Sequence, residues 1–319
     1  MIVKFVFFGT RELGAIVLER LLAKDYVPSL VVTAPDKPTG RKQELTPSPV
    51  KKVAGRYNLP LTQPERPVEL LSRPELKEAE FMVLAAYGFI LSKELVKLPP
   101  KGILNVHPSL LPLYRGPSPE QSSLLNGDEK TGATIMLMDE EVDHGPILAQ
   151  LEFIIPKDMK HEELHSALGK LGGELLVETI PKWLEGAIVP KEQDHSKATY
   201  TKKLTKEDGR IDWTKAAAYI ERQVRALHPW PGTYTKLEIQ NPKSETSSKF
   251  KILKILKAEA IEGIQGEPGK TFVAPGKNLG VYTGSGALLI KELQLEGKRP
   301  VYSKEFLLGY PGVLNTILN

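Results

Sequence analysis

Apolar residues follow two rhythms in this chain, and the change of rhythm marks its organisation. In residues 1–190, short runs rich in Val, Ile, Leu and Phe occur at 2–8, 29–33, 81–85, 103–106 and 133–138, and they predict strands. Between several of them apolar positions recur every three or four residues, which predicts helices over 13–22, 50–57 and 120–126. A run at 151–155 predicts an edge strand. Leu164, Leu168, Leu171, Leu175 and Leu176 place one apolar stripe along a helix over 161–184. Strand–helix alternation of this kind gives an α/β unit, a mostly parallel sheet with helices on both faces.

After a polar, basic stretch at 198–204 the rhythm changes. A helix over 216–227 is closed by His228-Pro229-Trp230-Pro231, where two prolines forbid continuation. Short runs then follow at 233–239, 249–261, 271–274, 280–282 and 287–295, separated by Gly, Pro and Asn, and they predict a small β-barrel. The chain therefore divides into residues 1–190, a linker at 191–206 and a second domain at 207–319.

Charge sharpens that division. The net charge is +4, yet residues 206–319 carry 17 Lys+Arg against 12 Asp+Glu, while residues 1–205 are close to balance. An uneven basic excess fits a polyanionic partner or a Lys-rich solvated surface. The absence of cysteine excludes disulfides, thiolate metal sites and a cysteine nucleophile. The apolar N-terminal run is too short for a membrane span and has no cleavage site, so the expectation is a soluble cytoplasmic protein.

Candidate chemistry lies at two strand ends. Residues 105–112 read Asn-Val-His-Pro-Ser-Leu-Leu-Pro, and residues 138–145 read Met-Asp-Glu-Glu-Val-Asp-His-Gly. In an extended chain positions i and i+2 share a side, so Asn105 and His107 face one space while Val106 packs behind them. The second motif brings carboxylates at 139, 140, 141 and 143. An amide donor, an imidazole and a carboxylate at the strand ends of an α/β sheet suit acyl transfer. Ser109 lacks the Gly-x-Ser-x-Gly elbow of a serine hydrolase, which leaves it as a ligand contact. Gly9-Thr10 opens a helix but does not fit a dinucleotide fingerprint, and a tight turn explains it better.

These motifs resemble the folate-dependent formyltransferase family: Asn-x-His with a later Asp, then Ser-Leu-Leu-Pro and Tyr-Arg-Gly. The resemblance extends to residues 5–10, 35–41, 47–51, 208–213 and 228–231, and so covers nearly the whole chain. It implies a Rossmann-like catalytic domain followed by an OB-like barrel. It also implies 10-formyltetrahydrofolate as formyl donor, no metal, a monomer, and Asn105, His107 and Asp143 as catalytic residues. Folate contacts are implied at Ser109, Leu110, Leu111, Pro112, Tyr87, Phe89, Ile90, Leu91, Met138, Asp139 and Glu140. The chain departs from the family pattern at Pro119-Glu120-Gln121, where an apolar residue usually stands between Pro and Gln, and at Pro108, where Gly is common.

The segments at 35–51 and beyond 206 resemble family members that act on aminoacylated RNA. They imply methionyl-initiator-tRNA as acceptor, contacted by Lys37, Arg41 and Lys42 in a long loop and by Lys202, Lys203 and Lys206 near the second domain. An amino sugar or purine-precursor acceptor, hydrolysis of the formylfolate, and RNA binding without catalysis are the alternatives. The long basic loop and the extra domain count against the first, and the intact triad counts against the last.

Overall fold

The computed structural model describes residues 3–39, 44–240 and 248–319 and divides into two compact units. The first comprises Met1–Glu120, Glu129–Ile155 and Glu163–Lys202, and the second Gln121–Asp128, Pro156–Glu162 and Lys203–Asn319. The expected linker is thus hydrogen-bonded into the first unit over much of its length. Lys191 pairs with Ile147, and Tyr200 pairs with Arg115.

In chain order the first unit holds β1 (Phe5–Gly9), α1 (Glu12–Leu22), β2 (Leu30–Val32), a hairpin of β3 (Lys37–Thr39) and β4 (Glu44–Thr46), and α2 (Pro49–Arg56). Then come β5 (Leu61–Thr62), α3 (Pro74–Lys77), β6 (Phe81–Ala85), α4 (Lys93–Val96) and β7 (Ile103–His107). After α5 (Pro119–Asn126), most of which belongs to the second unit, follow β8 (Lys130–Leu137), β9 (Ile147–Ile154) and α6 (His161–Leu184). Seven strands form one sheet in the order β5-β2-β1-β6-β7-β8-β9. The first five are mutually parallel, while β8 and β9 are antiparallel additions, with β9 at the edge as expected. Strand order reverses beside β1, so the ends of β1 and β6 open at the switch point where α/β sheets hold ligands.

Each face of the sheet has its own core. Phe5, Phe7, Val83, Leu104 and Val106 pack beneath α1 and α6, and Val6, Phe8, Met82 and Ile103 pack on the other side. A Cβ at Gly172 would stand 2.6 Å from Val106, so α6 approaches the sheet directly behind the candidate site. The Gly9-Thr10 turn is structural: the backbone N–H groups of Thr10 and Arg11 both reach the Ala86 carbonyl oxygen, at 3.2 and 3.3 Å. They are therefore committed rather than held open for an anion.

The second unit adds α7 (Ala217–Ala226), β10 (Thr233–Gln240), β11 (Ser248–Ile261), β12 (Thr271–Ala274), β13 (Asn278–Tyr282), β14 (Ala287–Leu295), β15 (Val301–Tyr302) and α8 (Ser303–Gly309). Its antiparallel sheet runs β10-β11-β14-β13-β12, with β15 on β14. The last residues bridge its two edges. Thr271 N–H donates to the Thr316 carbonyl and Leu318 N–H to Gly269 at one edge, while Lys236 and Asn319 exchange backbone bonds at the other. This closure makes the curled sheet barrel-like around Leu253, Leu279, Leu288 and Leu293. Among the described residues no helix is long and apolar enough to cross a membrane.

Candidate active site

The end of β7 carries the first two groups. Asn105 and His107 pair across to Met136 and Thr134 of β8, and both are almost fully buried. The loop that follows turns back on the strand. Ser109 Oγ donates to the Leu113 carbonyl at 2.7 Å, and Thr134 Oγ1 donates to the Ser109 carbonyl at 2.6 Å. That return brings the Tyr114 carbonyl to 3.0 Å from His107 Nε2. A carbonyl oxygen only accepts, so Nε2 carries the hydrogen and Nδ1 faces the site.

The loop joining β8 to β9 supplies the carboxylate. Asp143 Oδ1 lies 3.2 Å from Asn105 Nδ2, which donates to it, and 3.5 Å from His107 Nδ1. Its other oxygen accepts from Gly116 N–H at 2.8 Å. Asp143 sits at φ +51°, a left-handed conformation that costs a non-glycine residue about 1 kcal/mol. The loop is pinned around it. Met138 N–H reaches the Ile103 carbonyl, His144 Nδ1 meets Asp139 Oδ2 at 2.6 Å, and a Cβ at Gly145 would strike the Leu137 carbonyl oxygen. Lys93 and Lys97 hold the carboxyl of Glu140 below its ordinary range by hydrogen bonding.

Sequence reasoning missed the layer behind Asp143. Arg115 is 1% exposed and donates to Gln193 Oε1 from Nε (3.1 Å) and Nη2 (2.8 Å), to Tyr200 Oη (3.3 Å) and to His195 Nδ1 (2.8 Å). Gln193 Nε2 in turn donates to the Asp143 and Gly145 carbonyls at 3.0 and 2.7 Å. The rings of His144 and His195 stack at 4.1 Å. Arg115 lies in the Tyr-Arg-Gly motif, but nothing in the polar run around Gln193 announces a partner fifty residues earlier.

The remaining expected contacts fall into distinct environments. Leu111 is buried, whereas Leu110 and Pro112 are half-buried in the returning loop. Tyr87 and Leu91 pack into the core of the sheet's second face, Phe89 is half-buried against it, and Ile90 is 86% exposed. Burial pushes the Tyr87 hydroxyl up to about 12. Met138 and Asp139 are half-buried and Glu140 is exposed. Lys37, Lys202, Lys203 and Lys206 are exposed, and Arg41 and Lys42 lie outside the described residues.

Glu120, the departure from the family pattern, is 4% exposed and meets His165 Nδ1 at 2.9 Å. Burial alone would lower the His165 pKa, but hydrogen bonding and charge from Glu120, with Glu12, outweigh it and raise the value. The root of the basic loop is tied by Lys51 to Asp36 at 2.6 Å, with Gln63 bridging Asp36 and the Ala34 carbonyl.

A sequence model of the formyl transferase family matches residues 3–180, and one of the formyl transferase C-terminal domain matches residues 203–311. The chain belongs to the formyl transferase family. This formyl transferase is 42% identical over 311 residues to the methionyl-tRNA formyltransferase of Chloroflexus aurantiacus, with 96% of each chain covered. It is 40% identical over 321 residues to that of Caldanaerobacter subterraneus subsp. tengcongensis, with 99% of each covered.

Solved structures with the same fold include an N-formyltransferase from Helicobacter canadensis in complex with folinic acid and dTDP-3-aminofucose. Its TM-score is 0.64 at 19% identity, covering 90% of this chain and 98% of that one. HypX from Aquifex aeolicus in complex with tetrahydrofolic acid gives 0.63 at 18% identity over 96% of this chain. The chain spans about half the length of that protein, at 47%. At these identities the likeness is one of fold.

Proposed function

We propose that this formyl transferase moves the formyl group of 10-formyltetrahydrofolate to the amino group of methionyl-initiator-tRNA, and so serves translation initiation. The observation that carries the chemistry is the convergence of Asn105 Nδ2 and His107 Nδ1 on one oxygen of Asp143. Full-length identity near 40% to methionyl-tRNA formyltransferases supports the choice of acceptor.

The amine is itself the nucleophile, so no covalent enzyme intermediate is needed. Its lone pair forms a C–N bond to the formyl carbon, and the carbonyl oxygen takes the negative charge. Donors set where that charge develops are usually the largest catalytic contribution. Asn105 keeps one amide hydrogen beyond the one given to Asp143, and His107 Nδ1 faces the same space when protonated. Asp143 takes the proton from the attacking amine, directly or through a water. Collapse expels folate N10, which leaves with a proton, and the formyl–N10 bond breaks.

The segments Tyr87–Leu91, Ser109–Pro112 and Met138–Glu140 meet the flat pterin of the donor. The exposed Ile90 and Val142 are the apolar surface offered there. Lys37, Arg41 and Lys42 in the loop leaving β2, together with Lys202, Lys203, Lys206 and the basic second domain, meet tRNA phosphates. The assignment of residues 207–319 as a tRNA-binding domain, with catalysis in 1–190, belongs to the same proposal.

The test is formyl transfer from 10-formyltetrahydrofolate to methionyl-initiator-tRNA, with uncharged tRNA and a dTDP-amino sugar as controls and salt as a variable. Product on the charged tRNA alone, with affinity falling steeply with salt, is expected. Product on the amino sugar, or formate released without an acceptor, would move the acceptor to a sugar or to water.

A further inference from the structure

Gln193 is 4% exposed, and its hydrogen-bonding capacity is fully used. Oε1 accepts twice from Arg115, and the two Nε2 hydrogens go to the carbonyl oxygens of Asp143 and Gly145. Only this orientation of the amide works, because the flipped one would set NH2 against a guanidinium and an oxygen against two carbonyls. Arg115 is therefore a fixed mount. Its partners among the described residues are neutral acceptors, one of them His195 Nδ1, which must be unprotonated because a guanidinium only donates.

A buried cation that turns its hydrogen bonds to neutral groups is costly, and here the group it orients ends on the backbone of Asp143. That backbone is held at φ +51°, the conformation that points the carboxylate back toward Asn105 and His107. Gly116 N–H, from the residue next to Arg115, grips the other carboxylate oxygen. Arg115 and its neighbour thus fix Asp143 at two points, its main chain through Gln193 and its side chain directly.

We infer that Gln193, mounted on Arg115, is a positioning residue for Asp143: it sets the carboxylate in line with the attacking amine without touching either substrate. The inference rests on the reading of Asp143 as the proton acceptor. The competing account is that Gln193 only satisfies the buried guanidinium.

Gln193→Glu separates the two. A carboxylate would still accept from Arg115, now as an ion pair, but its second oxygen would face two carbonyl oxygens and release the loop. If Gln193 only serves Arg115, the variant keeps full activity. If it positions Asp143, kcat falls on the order of tenfold to a hundredfold, the scale of a small misplacement of a reacting group. KM for tRNA should stay within about threefold, since the proposed tRNA contacts lie on other segments.

Gln193→Met, which lacks both donor and acceptor at similar volume, is the companion and should show the same split with cooperative unfolding retained. Unchanged kcat in either folded variant, or kcat falling only alongside a rise in KM for tRNA, would overturn the inference. So would failure of both variants to fold cooperatively, which would make Gln193 a structural residue. Asp143→Ala run in parallel isolates the premise: full activity there removes the role of Asp143 itself, whereas an inactive Asp143→Ala beside a normal Gln193→Glu removes only the positioning.

Discussion

Two loops of the first unit follow strands of the same sheet, one after β8 and one after β2, and they are held in opposite ways. The loop at 138–146 is stitched from behind by buried groups. Gln193, Arg115 and Gly116 fix Asp143, and Asp139 fixes His144. The loop after β2 is tied at its root by Lys51, Asp36 and Gln63, whose ion pair is about a third exposed, and its described cation Lys37 points to solvent. Charge that develops on a reacting atom needs dipoles that are already in place, whereas a phosphate chain is met by accessible cations whose counterions are released. On the proposed function, one loop serves the chemistry and the other meets a polyanion.

The sharpest way to break this comparison is to remove the converging groups. Replacement of Asn105, His107 or Asp143 by Ala should cost on the order of a hundredfold to a thousandfold in kcat. In each case KM for tRNA should be nearly unchanged in steady-state assays. A smaller loss is expected from Gly145→Ala. The new methyl would meet the Leu137 carbonyl and force the pinned loop to shift, lowering stability by about 1–3 kcal/mol in urea titrations and lowering kcat with it. The second loop should behave differently. Lys37→Ala and Arg41→Ala should lower kcat/KM for tRNA about tenfold each and shallow the salt slope by about one unit per lost phosphate contact. KM for the folate donor should stay fixed.

The two loops also differ in how far they could be read from sequence. Asn105 and His107 were legible because a two-residue repeat on a strand fixes their side, and the long helix over 161–184 because its leucines mark one face, four of the five being buried. The basic loop was legible as length and charge. Its hairpin was not, because three-residue strands such as Lys37–Thr39 carry no period. The mount of Asp143 was invisible for another reason. Arg115 and Gln193 meet across 78 positions through polar atoms, and composition alone made 191–206 read as a linker. Closure of the barrel by residues 316–319 uses backbone groups, which no side-chain pattern reports. Glu120 was legible as a departure, but its partner His165 was not.

Smaller effects sharpen the contrast. Lys51→Met should change stability little, since a partly exposed pair is worth little, while reducing tRNA turnover by severalfold through the loop it anchors. An equal loss on both substrates would show that the root supports more than the loop. The smallest effect concerns pH. His165 has a raised folded pKa, so the stability it lends through Glu120 is fully present below its unfolded value near 6.5 and is lost as pH rises through the folded value. Denaturant midpoints of the wild type should therefore decline across that window relative to His165→Gln. Parallel curves for the two proteins would remove the pairing from the account.

The central claim is that the triad performs chemistry on a tRNA held elsewhere. Its most direct test is Asp143→Ala, with methionyl-tRNA affinity and the single-turnover rate of formyl transfer measured on the same preparation. Unaltered affinity with the rate largely abolished is the predicted result. A rate near that of the wild type, or a rate that falls only as far as affinity falls, would contradict it.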